Sequence, residues 1–368
     1  MEIQRLCAAY EQLPAPTTDE AHEHNVAWLK EALQAAICLE YATCPPYLCA
    51  LWSIENDTHP VAVSLREVAQ EEMVHLALAC NMLSSIGGKP SFTTPPPDAP
   101  SDLPLPARIA YPAHLPGGVR PELVVPLQGL NDDALRAFLE IESPEFPGDH
   151  AGADSYRTIG EFYDAIADAF EKNADRLELT TENQITGPRA NFVVKSIEDA
   201  RMAIDLIQHQ GEGSTAPVDL GNGVHLGCPT WEYLPGENYL AHYYRYSEMK
   251  ERRKIRTWSE QRDGHEVTLY EFGDAIDWPS VFPMAVVPAG GYQAADVPPD
   301  VAHLLDRFDA TYTKLLDFFE TAWRRGGQGS FWHAIETMFD LAETGRQLMQ
   351  IPLPGEQGTY GPCFRYRG

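Results

Sequence analysis

The sequence predicts a mainly α fold: a four-helix bundle with a long proline-rich crossover and a C-terminal helical extension. Three observations carry this expectation. Apolar residues recur at three- and four-residue steps through several segments of helical length. Proline crowds into one passage, Pro90 to Pro126, between the second and third of those segments. Glutamates and a histidine fall on or beside the apolar stripes rather than opposite them.

The first helix is expected from about Ala21 to Ala42, where Leu29, Leu33, Ile37 and Glu40 share a stripe. Pro45 and Pro46 interrupt it, and the apolar run Tyr47 to Ile54 reads as a kinked continuation. A second helix runs from about Val61 to Ile86. Val68, Glu72, His75, Leu76, Ala79 and Leu83 lie on one side of it, and Gly87-Gly88 supply the stop. Helices cannot persist through PPPDAP and LPLPAR, so the next passage reads as an ordered crossover. One long crossover between the second and third helices is the connection a ferritin-like bundle requires. Leu135 to Ile141 reads as a short helix before the Ser143-Pro144 turn. The third bundle helix is placed from about Tyr156 to Leu179, through Ile159, Tyr163, Ile166 and Phe170. The fourth opens at Ser196, an N-cap with Asp199 three residues on, and breaks at Gly211-Glu212-Gly213. An insertion, Ser214 to Pro235, precedes a returning helix from about Glu237 to Ile255.

Residues 1–262 are therefore expected to form the bundle with its crossover and insertion, and 263–368 an extension packed on it. The extension begins with a mixed, strand-containing segment from Val267 to Val287. Helices follow at about Val301 to Arg324 and Phe331 to Met349.

Composition narrows the function. A 44% hydrophobic share supports a sizeable core, and no stretch approaches the ~20 apolar residues of a membrane helix. The N-terminus lacks the basic flank and apolar run of a secretory signal, so a cytoplasmic protein is the expectation. With 54 acids against 27 bases the formal charge is −27, which argues against a nucleic-acid partner. Cys7, Cys38, Cys44, Cys49, Cys80, Cys228 and Cys363 include no C-x-x-C pair and read as reduced packing residues. The sequence contains no Gly-rich phosphate loop and no Gly-x-Ser-x-Gly elbow.

The sharpest chemical motif is Glu72-Met73-Val74-His75. Glu and His three residues apart lie on one helix face, and with a Glu from a neighbouring helix they form half of a di-iron or di-manganese carboxylate site. Carboxylates with few imidazoles suit iron or manganese better than structural zinc. Glu40, Glu161 and Glu212 are the other candidate carboxylates and His242 the second imidazole; His209 and Glu142 are reserves, because the chain lacks a second Glu-x-x-His. Four carboxylates in one core would be costly without compensating cations, and four Glu with two His suit two ions. Arg245, one turn past His242, could pair with a ligand or substrate carboxylate. Tyr41, Tyr163 and Tyr243 could line a pocket, and Arg245 and Tyr163 are the catalytic candidates.

A series of stretches resembles one family in order along the chain. They are Leu39-Glu40-Tyr41, Glu71-Glu72-Met73-Val74-His75, Gly87-Gly88-Lys89-Pro90 and Phe138-Leu-Glu-Ile-Glu-Ser-Pro-Glu145. Thr158-Ile-Gly-Glu-Phe-Tyr163, Gln210-Gly-Glu-Gly213, His242-Tyr-Tyr-Arg-Tyr246 and Gly361-Pro-Cys-Phe-Arg-Tyr366 continue it. The chain resembles the ferritin-like domain of the enzymes that make bisindole precursors of violacein and rebeccamycin, the iminophenyl-pyruvate dimer synthases. The resemblance implies a ferritin-like fold and a di-iron site at Glu40, Glu72, His75, Glu161, Glu212 and His242. For the family enzymes, which are much longer, it implies oxidative coupling of aromatic amino-acid imines.

The function expected first is an O2-dependent oxidoreductase with two Fe ions, or Mn, acting on a small substrate, amino-acid derivatives among the candidates, with an unknown electron donor. A monomer or homodimer is expected. A metal-free helical binding module with solvated polar residues, and an iron-storage protein, are the alternatives.

Overall fold

The computed structural model describes residues 24–97, 100, 103–144, 155–186, 192–213, 216–232, 238–325, 327–355 and 358–368. Cys7, the Ala21 start of the first helix, Glu145, Glu237 and part of the 214–235 insertion lie outside the described residues.

Helix α1 (Val26–Ser53) opens on Asn25, whose side chain accepts from the amides of Ala27 and Trp28. It runs through Pro45 and Pro46 without ending. The expected interruption is absent, and one of the two carbonyls freed by the prolines has a new partner. The Ala42 carbonyl, deprived of its partner by Pro46, accepts from the Tyr111 hydroxyl at 2.7 Å. Helix α1 is buried nearly all round and forms the centre of the molecule. Helix α2 (Pro60–Ser85) starts with proline at its first turn and packs beside α1. Its end turns through Gly87 at φ +71°, which a glycine adopts freely.

The described residues of the crossover are held against the bundle. Gln34 of α1 clamps the crossover, donating to the carbonyls of Ser91 and Pro104 and accepting from the Ser91 amide. Buried Leu103, Leu105, Val119, Val125 and Leu127 anchor it further. A two-residue ladder pairs β1 (Ala113–His114) with β2 (Val124–Val125).

The second half of the bundle is built from short helices: α3 (Asp132–Ile141), α4 (Ile159–Lys172), α5 (Ile197–Gly211) and α6 (His242–Glu251). Helix α4 is shorter than its apolar pattern suggests, since Thr158 caps its start and Asn173 its end. Ser196 caps α5 as expected, with Asp199 accepting from the Lys195 amide. The returning helix is also shorter than expected. Strands β5 (Thr230–Glu232) and β6 (Asn238–Leu240) precede it, and Arg252 in the left-handed region ends it.

Two strands before α6 and two after it form a sheet of order β3-β4-β8-β7, from Val218–Asp219, Val224–Leu226, His265–Ala275 and Arg253–Arg262. The division expected at residue 262 falls at the Asp263-Gly264 turn, so β7 and β8 pair directly across it. Helices α7 (Pro299–Arg325) and α8 (Gln328–Leu348) pack together, and α8 meets α1 where Gly345 sits against Trp52. One continuous core includes residues of α1, α2, α7 and α8. Asp309, fully buried on α7, accepts from Arg365 and Arg367 and pins the last residues. Among the described residues, no two cysteines are joined by a disulfide.

Candidate metal centre

Helix α1 delivers Glu40 and α2 delivers Glu72 and His75, each side chain almost wholly removed from solvent. The second half-site comes from helix ends. Glu142 is the C-cap residue of α3, and His242 is the first residue of α6. Each of two groups, Glu40 with Glu72 and His75, and Glu72 with Glu142 and His242, offers ligand atoms within 4.8 Å of one another. Glu72 belongs to both. A carboxylate shared between two three-residue groups is what a pair of adjacent cations needs.

The distances define the arrangement. His75 Nδ1 stands 3.5 Å from Glu40 Oε2 and 3.6 Å from Glu72 Oε1. His242 Nδ1 lies 3.0 Å from Glu72 Oε1 and 3.5 Å from Glu142 Oε1. On the far side of each ring Nε2 has its own partner, Gln210 Oε1 at 2.7 Å for His75 and Glu71 Oε2 at 2.9 Å for His242. With acceptors facing Nε2, the protons sit there and both Nδ1 atoms turn toward the carboxylates. Fully buried His242 Nδ1 makes no hydrogen bond of acceptable geometry despite its short approach to Glu72.

The carboxylates are held as well. The Tyr163 hydroxyl donates to Glu40 Oε1 at 2.6 Å, Thr43 to Glu72 Oε2 at 2.7 Å, and Tyr47 to Glu142 Oε1 at 2.6 Å. Burial and the neighbouring carboxylate charges push the Tyr163 and Tyr47 hydroxyls well above their ordinary pKa, so both remain donors. Burial and the Glu142 charge raise Glu72. Burial alone would lower the two histidines, but the carboxylates around them win and both are raised. A site that raises imidazole basicity toward a proton raises it toward a cation too. Burial opposes ionisation of Glu71, yet its bond to His242 and the nearby Arg245 charge hold it below its ordinary value.

Glu212 closes the site on a third side. Its carboxylate accepts from the Gly160 amide at 2.6 Å, and burial pushes it up to about 8 against the lowering effect of Gly160 and Thr158. A cavity of about 10 Å³ lies between Glu212 and the group formed by Glu40, Glu72, His75 and Glu142. Ile159, Gly160, Ile207, Gln208 and Gly211 complete its walls. That volume suits a single water-sized occupant. The donor set fits two hard cations: buried carboxylates, imidazole nitrogens turned inward, and one buried nitrogen without a bonded partner.

The structure thus brings Glu40, Glu72, His75 and His242 together, with Glu212 beside them. Glu161 stands apart: its amide donates to the Thr158 hydroxyl and its carboxylate accepts from the Arg157 amide, both at the start of its own helix. An acid among apolar residues near a helix start served the helix end. Glu142, kept as a reserve, occupies the site, and His209 lines only an outer recess. Arg245 reaches the centre through Glu71, donating to its Oε1 at 3.2 Å and to the Leu240 carbonyl at 2.7 Å. Tyr41 packs on Phe92 and Tyr312, and Tyr243 on Tyr244, away from the centre. The supporting residues Glu71, Gln210, Thr43 and Tyr47 were not singled out from the sequence. Glu71 follows Val68 and precedes His75 at helical steps, Gln210 follows Ala203 and Ile207, and Glu142 follows Leu135 and Phe138. Polar residues continuing an apolar stripe were the available signal.

No helix among the described residues is long and apolar enough to cross a membrane. Among solved structures, the chain is similar to a ferritin-like protein from Caulobacter vibrioides, with a TM-score of 0.62 and 19% identity. The likeness covers 93% of this chain and 99% of that one, and at this identity it shows the fold. No curated protein matches significantly. The Ferritin-like family model matches residues 33–251, which span α1 to α6 and every residue of the centre, and the chain belongs to the Ferritin-like family.

Proposed function

We infer that this chain is an O2-dependent oxidoreductase whose centre holds two iron ions, or manganese, and acts on a small, amino-acid-derived substrate. The observation that carries the reading is the sharing of buried Glu72 between two carboxylate–imidazole groups. Glu40, Glu72 and His75 would hold one ion, and Glu72, Glu142 and His242 the other, with Glu212 beside the pair. When bound, such ions supply redox equivalents and a place for O2. The chain's own residues orient and insulate. Glu71 and Gln210 fix the imidazole rings, Tyr163, Thr43 and Tyr47 fix the carboxylate rotamers, and the buried walls of the small cavity limit access of bulk water. Arg245 is a positioning residue that steadies Glu71.

The resemblance to the violacein and rebeccamycin enzymes supports oxidative imine chemistry as the reaction class. An external electron donor and a monomeric or homodimeric state belong to the same proposal. The polar residues of the site are buried rather than solvated, which weighs against a metal-free binding module. The test is metal content per chain from iron- and manganese-supplemented cultures, beside Glu72→Ala/His75→Ala, followed by O2 uptake with candidate amino-acid substrates. About two equivalents, lost in the variant, with substrate-dependent O2 consumption, is the expected result. A chain that takes up no metal even anaerobically as Fe(II) refutes the reading.

A further inference from the structure

Outside the inner cavity, at the start of α4 and the end of α5, lies a second, more open recess of about 190 Å³. The two share Gly160, Gln208 and Glu212, so the Glu212 carboxylate is a common wall, with the centre on one side and the recess on the other. The rest of the recess is framed by Glu161, Asp164 and His209. No lysine or arginine lines it among the described residues.

Several features of the wall are built rather than incidental. Position 160 carries no side chain, and a Cβ there would meet Glu212 Oε2 at 2.6 Å. A Cβ at Gly211 would meet Glu142 Oε2 at 3.1 Å. The glycine at position 160 lets the Glu212 carboxylate stand where it does, and a side chain at 211 would crowd Glu142. Gln208 is fixed by bonds to the Gly160 carbonyl and to Asp164 Oδ1, both at 3.0 Å, and so spans the mouth between α4 and α5. At the inner end stands the buried cluster that includes the unpartnered His242 Nδ1.

The geometry points to this recess as the entrance by which divalent cations reach the centre, with Asp164 and Glu161 drawing them in and Glu212 passing them across the wall. This rests on the two-ion reading of the centre. The carboxylates of Glu161 and Asp164 at the mouth concentrate counter-ions and raise their on-rate, and salt screens the effect.

The test separates rate from capacity. Apo chain is mixed rapidly with cobalt(II), and the visible absorption of the ligated ion is followed to completion. Asp164→Lys reverses an exposed charge at the mouth. Glu336→Lys makes the same change in net charge on α8, whose main packing is against α7 and α1. Asp164→Lys is expected to load about tenfold more slowly at low ionic strength, to converge with the unmodified chain in high salt, and to reach the same final stoichiometry. Asp164→Asn is expected to fall between them, and Glu336→Lys to load as the unmodified chain does. Loading at an unchanged rate in Asp164→Lys, or equal slowing in Glu336→Lys, overturns the entrance while leaving the centre intact. An unmodified chain that never binds cobalt overturns both, and the stoichiometry identifies that case.

Discussion

Glu71→Gln is the most informative single change, because Glu71 touches no candidate ion and still joins two buried groups. Its Oε2 accepts from His242 Nε2 at 2.9 Å and its Oε1 from Arg245 Nη2 at 3.2 Å. Glutamine keeps the shape but offers one acceptor where two are needed, and it removes the charge opposite Arg245. Losing a hydrogen bond to a buried charged group costs about 2 kcal/mol, so the metal-free protein should be destabilised by that order. The ring of His242 also loses the partner that fixes its tautomer. Disturbing such a support lowers metal affinity by about 10–100-fold, or about 1.4–2.8 kcal/mol at 1.4 kcal/mol per tenfold. Glu67 provides the control: its side chain is 46% exposed and approaches Arg245 Nη1 only at 3.8 Å, so Glu67→Gln should cost under about 1 kcal/mol and leave affinity unchanged. Competition titration against a chelator of known affinity, with denaturant unfolding of the metal-free proteins, reads both quantities. Equal affinity in Glu71→Gln and the unmodified chain would refute the argument that Glu71 aims His242 at the centre.

Other outcomes follow from the same geometry. Glu212 has its pKa raised from 4.5 to about 8 in the folded chain, so the folded state holds its proton more tightly than the unfolded state; this stability is complete below about 4.5 and lost as pH rises through about 8. The melting temperature of the metal-free protein should therefore fall across that window with a slope that Glu212→Gln reduces, as thermal scans at fixed ionic strength would record. Gly160→Ala would drive a methyl group into the Glu212 carboxylate and should cost about 1–3 kcal/mol in overpacking while slowing cobalt loading; normal stability and loading would show that the wall yields. Asp309→Ala leaves the partly exposed Arg365 and Arg367 without their shared buried acceptor and should destabilise by about 1.5–3 kcal/mol in equilibrium unfolding, with no change in metal stoichiometry.

The sequence by itself determined the helices that need only their own pattern and caps. The stripe of Val68, Glu72, His75 and Leu76 defined α2, the glycine pair ended it, and Ser196 with Asp199 opened α5. Half of the centre was legible for the same reason, since Glu-x-x-His on one helix and a glutamate on the stripe of its neighbour are local facts. The other half was decided by tertiary structure. Glu142 and His242 stand 100 residues apart in sequence at the ends of two different helices, and no periodicity links them. Pro45 and Pro46 ought to interrupt α1; the Tyr111 hydroxyl, reached only through the folded crossover, takes up a freed carbonyl. Glu161 and Glu212 look alike in the sequence, each an acid next to apolar or glycine residues. One folds back onto its own helix end while the other reaches across to the Gly160 amide of a neighbouring helix. Local pattern fixes which residues lie on an apolar face, but which buried carboxylates share a cation depends on where helix ends meet, and that is set by packing between segments distant in the chain.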